Sequence, residues 1–370
     1  MNILVLNAGS SSLKISLFDP HLNSSAIWET KADIDPNGLH LDALLEPHKD
    51  KVDAVGHRIV HGGRIFRESA LITPGVREAI KRLRELAPAH NAIELQGIEA
   101  IDGIFGRAIP QIAVFDTAFH ATLPPEAYVY PGPYEWIDRD IRRYGFHGIS
   151  HQYASRRAAE ILGRDLKSLR LITCHLGNGC SLAAVRGGVS IDTTMGFTPL
   201  EGLMMGSRSG SVDPGILLYL LNNRGYDVPR LAGVLNRESG LKGISGVSED
   251  MREVLKAKEA GNPRAQLAFD IYVHSVRSYI GAMLGSLGDL DALIFTAGVG
   301  ENCAPLRAAV CEGLGFLNLR LDLEKNRQSP PDVNIALADS ARPVLIVHTR
   351  ENWEIAQECT RVLTTSEERA

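Results

Sequence analysis

Apolar residues along this chain fall in short runs, and each run closes on a turn rich in glycine and serine. ILVL at 3–6 is followed by NAGSSS at 7–12 and a second run, KISLF, at 14–18. The same order returns with LITCHL at 171–176, GNGCS at 177–181 and then LAAVRGGVSIDTT. Both stretches predict strand, tight turn, strand, with an asparagine at the turn (Asn7, Asn178). Two further apolar runs end in glycine turns, DAVGHRIVHGG at 53–63 and DALIFTAGVGEN at 291–302. Between them the period changes from two to nearly four. ALITPGVREAIKRLRELAP predicts a helix with a proline near its start and a stop at Pro88. Arg264–Leu287 predicts another, with an apolar stripe of Phe269, Val273, Val276, Ile280, Met283 and Leu284 that belongs to a core or a subunit interface. Residues 35–51 read as a loop with a short helix, and 364–370 as a frayed tail. Strands alternating with helices predict an α/β fold, and the recurring strand–turn–strand unit predicts a duplicated domain.

Composition narrows the class. A chain of 370 residues exceeds one ordinary core, so two domains are expected. With 44% hydrophobic and 22% charged residues it is an ordinary globular mixture. A net charge of -5 without a basic block argues against a nucleic-acid partner. No apolar run reaches membrane-span length, and the first residues lack the features of a secretory signal. Five cysteines (Cys174, Cys180, Cys303, Cys311, Cys359), odd in number and without CxxC spacing, fit a reduced, cytoplasmic protein.

The chemistry concentrates at the glycine turns. MGFTPLEGLMMGSRSGSVDP, residues 195–214, holds Arg208 in a run of small residues, where a guanidinium reaches an anion without competing side chains. NAGSSSLK, HLGNGCS and AGVGEN each expose backbone N–H groups of the kind that bind phosphate, and Lys14 adds a cation. The P-loop spacing is absent. Arg58, between His57 and His61, is a second candidate anion ligand. Asp116, in AVFDTAFH, follows an apolar run and is expected at a strand end facing a cleft, the alternative being a turn or cap aspartate. His147 and His151 are four apart and would share a helix face, but the glutamate of HExxH is missing.

Taken in order, NAGSSSLK, GHRIVHGG, FDTAFH, RRYGFHGISH, HLGNGCS, TTMGFTPLEGLMMGSRSGSVDP and FTAGVGEN resemble the acetate kinase family of short-chain acyl kinases, from residue 2 to about residue 356. The resemblance implies a duplicated ribonuclease-H-like fold, of the actin-like ATPase and sugar-kinase-like kind, with an interdomain cleft. Domain I would comprise 1–118 plus 353–370, and domain II 119–352, the last helix returning to domain I. It implies reversible transfer of the ATP γ-phosphoryl group to acetate, with Mg2+ (or Mn2+ in its place), in a cytoplasmic homodimer built through domain II.

Residue by residue, the resemblance implies that Arg58, Asp116, His147 and Arg208 are catalytic. His147 and Arg208 would stabilise the transition state. Arg58, Val60, Phe146 and Pro199 would bind the acyl substrate. Ser12, Lys14, His175, Gly177, Asn178, Gly179, Asp250, Met251, Arg252, Gly298, Gly300 and Asn302 would bind ATP, and Asn7 and Glu351 the metal. Acetate is ionised near neutral pH, so Asp116 need not serve as a base. Four departures from the family pattern carry expectations. Ala89 replaces a leucine of the acyl pocket and predicts that propionate is used beside acetate. TRENWE near the end leaves Glu351 and Glu354 as competing metal ligands. Cys180 and Cys303 replace serines and predict sensitivity to thiol reagents. The stretch before GHRIVHGG is short and lacks a surface insertion. Other readings are a propionate or butyrate kinase, a pyrophosphate-dependent acetate kinase (against which FTAGVGEN and SEDMR argue), a non-catalytic actin-like nucleotide-binding protein, and a zinc hydrolase.

Overall fold

The computed structural model describes residues 1–9, 12–22, 24–33, 39, 41–83 and 88–367, with side chains except at 12, 88–92, 366 and 367. The chain forms two compact units. The first comprises Met1–Ala121, Phe146–Tyr153 and Arg350–Ala370, and the second Thr122–Gly145 and Ala154–Thr349.

Each unit is built on one six-stranded mixed sheet. The first contains β1 (Ile3–Ala8), β2 (Ser12–Phe18), β3 (Trp28–Asp33), β4 (Ala54–Ile59), β5 (Ala70–Leu71) and β6 (Gln111–Phe115), in the order β3-β2-β1-β4-β6-β5. The second contains β7 (Arg170–Leu176), β8 (Cys180–Arg186), β9 (Val189–Thr193), β10 (Ala292–Thr296), β11 (Val333–Asn334) and β12 (Val344–Ile346), in the order β11-β12-β10-β7-β8-β9. Read from β9, the second order repeats the first strand for strand. In both, the first three strands form an antiparallel meander, three strands (β1, β4, β6; β7, β10, β12) run parallel, and a two-residue strand pairs antiparallel at the far edge. The duplication read from two strand–turn–strand motifs therefore extends to whole sheets. Every residue of β1 is buried, as are five of the six of β4, because helices cover both faces of a parallel sheet centre.

The helices follow their caps. Thr73 accepts the Val76 N–H and Pro74 opens the helix Pro74–Arg82. Pro88 does not merely mark a stop: it is the first residue of a second helix, Pro88–Phe105, where its missing N–H is no loss. Asn262 caps the 25-residue helix Pro263–Leu287, and Gly288, with φ 78°, ends it. Its predicted stripe packs on β8 and β9, with Phe269, Val273, Val276, Ile280 and Met283 buried, so it is core. The final helix, Glu351–Glu367, lies on β1, β4 and β6 and buries Ile355, Ala356 and Cys359 against Ile3, Val5 and Val114. Gly56 makes that approach possible: a Cβ there would stand 2.6 Å from the Cys359 sulfur. The segment 35–51 yields the short helix Asp42–Leu45 and a 3-10 turn, with residues 35–38 and 40 outside the described residues. Of the tail expected to fray, 364–367 are helical, and 368–370 lie outside the described residues. Among the described residues, no helix is long and apolar enough to cross a membrane.

Candidate active site

In the first unit, three adjacent parallel strands end side by side. Register pairs Leu6 with His57 and Ile59 with Phe115, so Asn7, Arg58 and Asp116 gather at the C-terminal edge, where open α/β sheets bind ligands. Arg58 donates from Nε to both carboxylate oxygens of Asp116 (3.1 and 3.2 Å), and its Nη2 is paired with Oδ2. Its Nη1 reaches the Ala8 carbonyl at 3.1 Å and the Asn7 Oδ1 at 3.4 Å. Burial opposes the Arg58 charge, but Asp116 and Glu351 outweigh it and raise the guanidinium pKa further, so the cation is permanent. Burial likewise pushes the Asp116 carboxyl up, while Arg58 and the His147 N–H pull it down.

His147 reaches this cluster through its backbone. Its φ of 56° turns the chain so that its own N–H faces the Asp116 carboxylate and the Gly148 N–H donates to the Asp116 carbonyl at 2.8 Å. A Cβ at Gly148 would lie 2.2 Å from that carbonyl oxygen. This close approach explains why Phe146–Tyr153 belong to the first unit. His147 precedes the helix Gly148–Leu162, whereas His151 lies on it, fully buried with its ring against His120. The shared helix face expected of His147 and His151 is thus not formed. Among the described residues, no three His, Cys, Asp or Glu gather as a metal-binding set. Val60 and Phe146 are both buried, and the Phe146 ring stands edge-on to His61 at 5.4 Å.

Glu351 and Glu354 separate. Asn7 Nδ2 donates to Glu351 Oε2 at 3.3 Å and to Asn352 Oδ1 at 2.7 Å, while Glu354 is buried and accepts from Gln152 Nε2 at 2.8 Å. Lys14 is exposed on β2, paired with Asn7 across the ladder. Ser12 opens β2, but its side chain, like that of Ala89, lies outside the described residues.

At its strand ends the second unit offers backbone rather than charge. Between β7 and β8 the Gly177 N–H donates to the Gly179 carbonyl, and the Asn178 carbonyl accepts from Gly206, both at 3.0 Å. A Cβ at Gly206 would stand 1.9 Å from Asn178 Oδ1. After β10 the chain turns at Ala297, with φ 66°, into the short helix Ala297–Asn302, where Asn302 Nδ2 donates to the Gly298 carbonyl at 2.9 Å. The two turns are neighbours, since Thr296 pairs with His175 and the Ala297 Cβ lies 3.8 Å from the Cβ position of Gly177. A Cβ at Gly300 would stand 3.5 Å from the Cys174 carbonyl. Arg208 Nη1 donates to the Pro199 carbonyl at 3.0 Å, which brings those two residues together. Asp250 caps the helix Met251–Glu259 and pairs with Arg252, whose side chain is 87% exposed, so the pair adds little stability. Met251 is buried and turned into the core.

The expected thiol sensitivity finds no support. Cys180 is fully buried against the Tyr272 hydroxyl (3.0 Å), and burial pushes its thiol up to about 11. Cys303 is buried too, with its thiol shifted the same way. Protonated, enclosed thiols react slowly.

Two groups escaped the sequence reading. Arg143 Nη2 donates to Glu201 Oε1 at 2.7 Å, the Tyr130 hydroxyl pairs with Glu201 Oε2, and the Phe197 N–H donates to Tyr130 at 2.9 Å. Together they hold the loop that carries Pro199. Glu94 is the second: buried on the helix Pro88–Phe105, its Oε1 accepts the Val60 N–H at 2.9 Å. Its signal was an acid standing four and seven residues before Ile98 and Ile101 on one apolar stripe.

Comparison with known proteins shows the family. The profile of the Acetokinase family matches residues 37–357. The acetate kinase of Nostoc punctiforme is 57% identical, with 98% of this chain and 100% of that protein aligned. The acetate kinase of Gloeobacter violaceus is 55% identical, over 97% and 98%. Among solved structures, Porphyromonas gingivalis acetate kinase superposes with a TM-score of 0.88 at 36% identity, over 98% of this chain and 99% of that one. A propionate kinase from Francisella tularensis gives 0.89 at 40%, over 96% and 98%. With relatives more than half identical along nearly its whole length, and two sheets whose strand ends carry an arginine–aspartate pair in one unit and glycine turns in the other, the chain belongs to the acetokinase family.

Proposed function

We propose that the protein transfers the γ-phosphoryl group of ATP to acetate, giving acetyl phosphate and ADP, and catalyses the reverse reaction. The observation that carries this reading is Arg58, a permanent cation fixed by Asp116 at the end of β4, in a chain whose relatives are acetate kinases. Acetate and ATP are both anions, and bringing them together needs positioned positive charge rather than a base. Asp116 spends both oxygens on Arg58 and accepts the His147 N–H, so its role is to aim the guanidinium. Arg58 binds the carboxylate. Arg208, steadied by Pro199, and His147 hold the transferring phosphoryl group. Val60 and Phe146 bound the acyl chain. Backbone N–H groups of the turns at 177–179 and 297–300 cradle the nucleotide phosphates.

The residues present suit Mg2+, which keeps several waters and needs one or two carboxylates beside substrate phosphates. Glu351, next to the Asn7 amide, would hold it, with Glu354 committed to Gln152. When bound, it would neutralise phosphate charge.

A propionate kinase is the second reading, favoured by Ala89 and by the likeness to the Francisella tularensis enzyme. One methylene in such a pocket is worth roughly 1–3 kcal/mol. Trapping acyl phosphate with hydroxylamine, with acetate, propionate and butyrate in parallel, tests both. Acetyl hydroxamate is expected, with propionyl hydroxamate within about tenfold of it. No hydroxamate from any acid would refute the kinase reading.

We further propose a cytoplasmic homodimer formed through the second unit. In the helix Pro214–Asn223, Ile216, Leu218 and Tyr219 are 48%, 63% and 48% exposed, and no residue is buried. An apolar helix face left in water marks an interface. Sedimentation should show a dimer that Leu218→Glu weakens, and a monomeric wild type would refute it.

A further inference from the structure

Glu94 is a buried acid that the reaction above does not use. It is 4% exposed, and among the described residues only Oε1 has a partner, the Val60 N–H. Oε2 is buried without a hydrogen bond among the described residues. A buried carboxylate with one oxygen unmet is costly, and the cheaper form is the neutral acid. Burial accordingly pushes the Glu94 carboxyl up to about 8; the Val60 N–H and Arg58 pull it down, and Asp116 adds to the rise.

The surrounding charges define what its ionisation does. The Val60 it binds follows Arg58 by two residues at the end of β4, and Asp116 is paired with that Arg58. The Arg58 cation pulls the Glu94 carboxyl down and the Asp116 acid pushes it up. His57, on β4 and hydrogen-bonded to Gln111, is held neutral because burial lowers it to about 4. His61 accepts the Gly63 N–H on Nδ1 at 2.9 Å, so that nitrogen carries no proton. Arg58 already answers to two acids, Asp116 and Glu351. A third anion alongside would cancel more of the positive field that an incoming carboxylate requires.

We propose that Glu94 is a positioning residue that sets the affinity of the acid substrate through Arg58: as a neutral acid it anchors the Val60 backbone and leaves the Arg58 field intact, and as an anion it weakens carboxylate binding. The step is a simple release of the Glu94 proton to solvent. This inference rests on Arg58 as the acid ligand of the proposed kinase.

The test is KM for acetate and for ATP from pH 6.5 to 9.5, in wild type and in Glu94→Gln, which keeps the Val60 acceptor and cannot ionise. Acetate itself stays ionised throughout. Wild-type KM for acetate should rise about tenfold from pH 7 to pH 9, since each unit past a titration is a factor of ten. KM for ATP should stay level, and Glu94→Gln should lose the acetate rise. A flat wild-type profile, or the same rise in Glu94→Gln, overturns the proposal. Absence of acyl phosphate at pH 7 would instead sink the kinase reading. Should Glu94→Gln fail to fold, 13C NMR of glutamate-labelled wild type still decides. A carboxyl titrating near 8 that acetate perturbs is expected, and none titrating above 6 overturns the proposal.

Discussion

The two units share one sheet plan and put different chemistry on it. Both sheets have the same strand order and the same parallel and antiparallel pairs. Register makes the match residue by residue. Ile3 pairs with Ala54 as Leu171 pairs with Ala292, and Val55 with Gln111 as Leu293 with Val344. Asn7 therefore corresponds to His175, Arg58 to Thr296 and Asp116 to Thr349. One sheet ends in a buried ion pair. The other ends in a neutral hydroxyl, a three-residue glycine turn and a helix start. Thr349 there gives its N–H to Glu301 at 2.9 Å, and among the described residues Thr296 Oγ1 is buried without a partner. The fold supplies equivalent strand ends, and side chains decide what each presents: a fixed charge pair in one, backbone N–H groups in the other.

Mutations break this comparison in order of size. Arg58→Ala removes the cation of the first unit. Turnover should fall by roughly 10³-fold or more, with ATP affinity by calorimetry unchanged. Turnover within tenfold of wild type would remove Arg58 from the chemistry. Asp116→Asn keeps the shape and loses the charge that aims Arg58. A fall in kcat of about 10²-fold is expected, because small misplacements of a positioned group are expensive. A rise in KM alone would mean that Asp116 merely tunes binding. In the second unit, Gly206→Ala drives a Cβ into Asn178, and a forced shift of this kind costs about 1–3 kcal/mol. KM for ATP should rise while KM for acetate holds, and equal changes in both would contradict the division of labour.

Stability sharpens the picture further. Glu94 is raised from 4.5 to about 8 on folding, so the folded protein holds a proton that the unfolded chain has given up. Stability from this group is present below pH 4.5 and is lost as pH rises to about 8. Thermal melts across that window should decline less steeply in Glu94→Gln, and parallel slopes would count against a buried neutral acid. Thr296→Val, at the position matching Arg58, should leave turnover unchanged and Tm equal or slightly higher, because it deletes an unmet hydroxyl. A large loss of activity would show that the two strand ends are less divided than their side chains indicate.

Much of the fold was legible because its signals are local. Apolar runs closing on glycine turns located β1, β4, β7 and β10. Arg58, Asp116 and Asn178 stood out because a charge or asparagine closing an apolar run is unusual in a core, and Arg208 because it sits in a run of small residues. Pro88 misled, since a proline that stops one helix equally starts the next. Cys180 and Cys303 looked reactive because a sequence does not display burial. Glu94 read as one more acid on a helix, and Arg143, Tyr130 and Glu201 are separated by as many as 71 positions.

By itself, then, the sequence determined the α/β class, the repeat and the candidate ligands, because periodicity and turn chemistry act between neighbours in the chain. Only the tertiary structure decided that Phe146–Tyr153 joins the first unit, that His147 meets Asp116 through its backbone, that Glu351 and not Glu354 faces Asn7, and that Glu94 lies beneath Val60. Each of these depends on groups far apart in sequence meeting where water is excluded, and their charges and hydrogen bonds take on meaning only there.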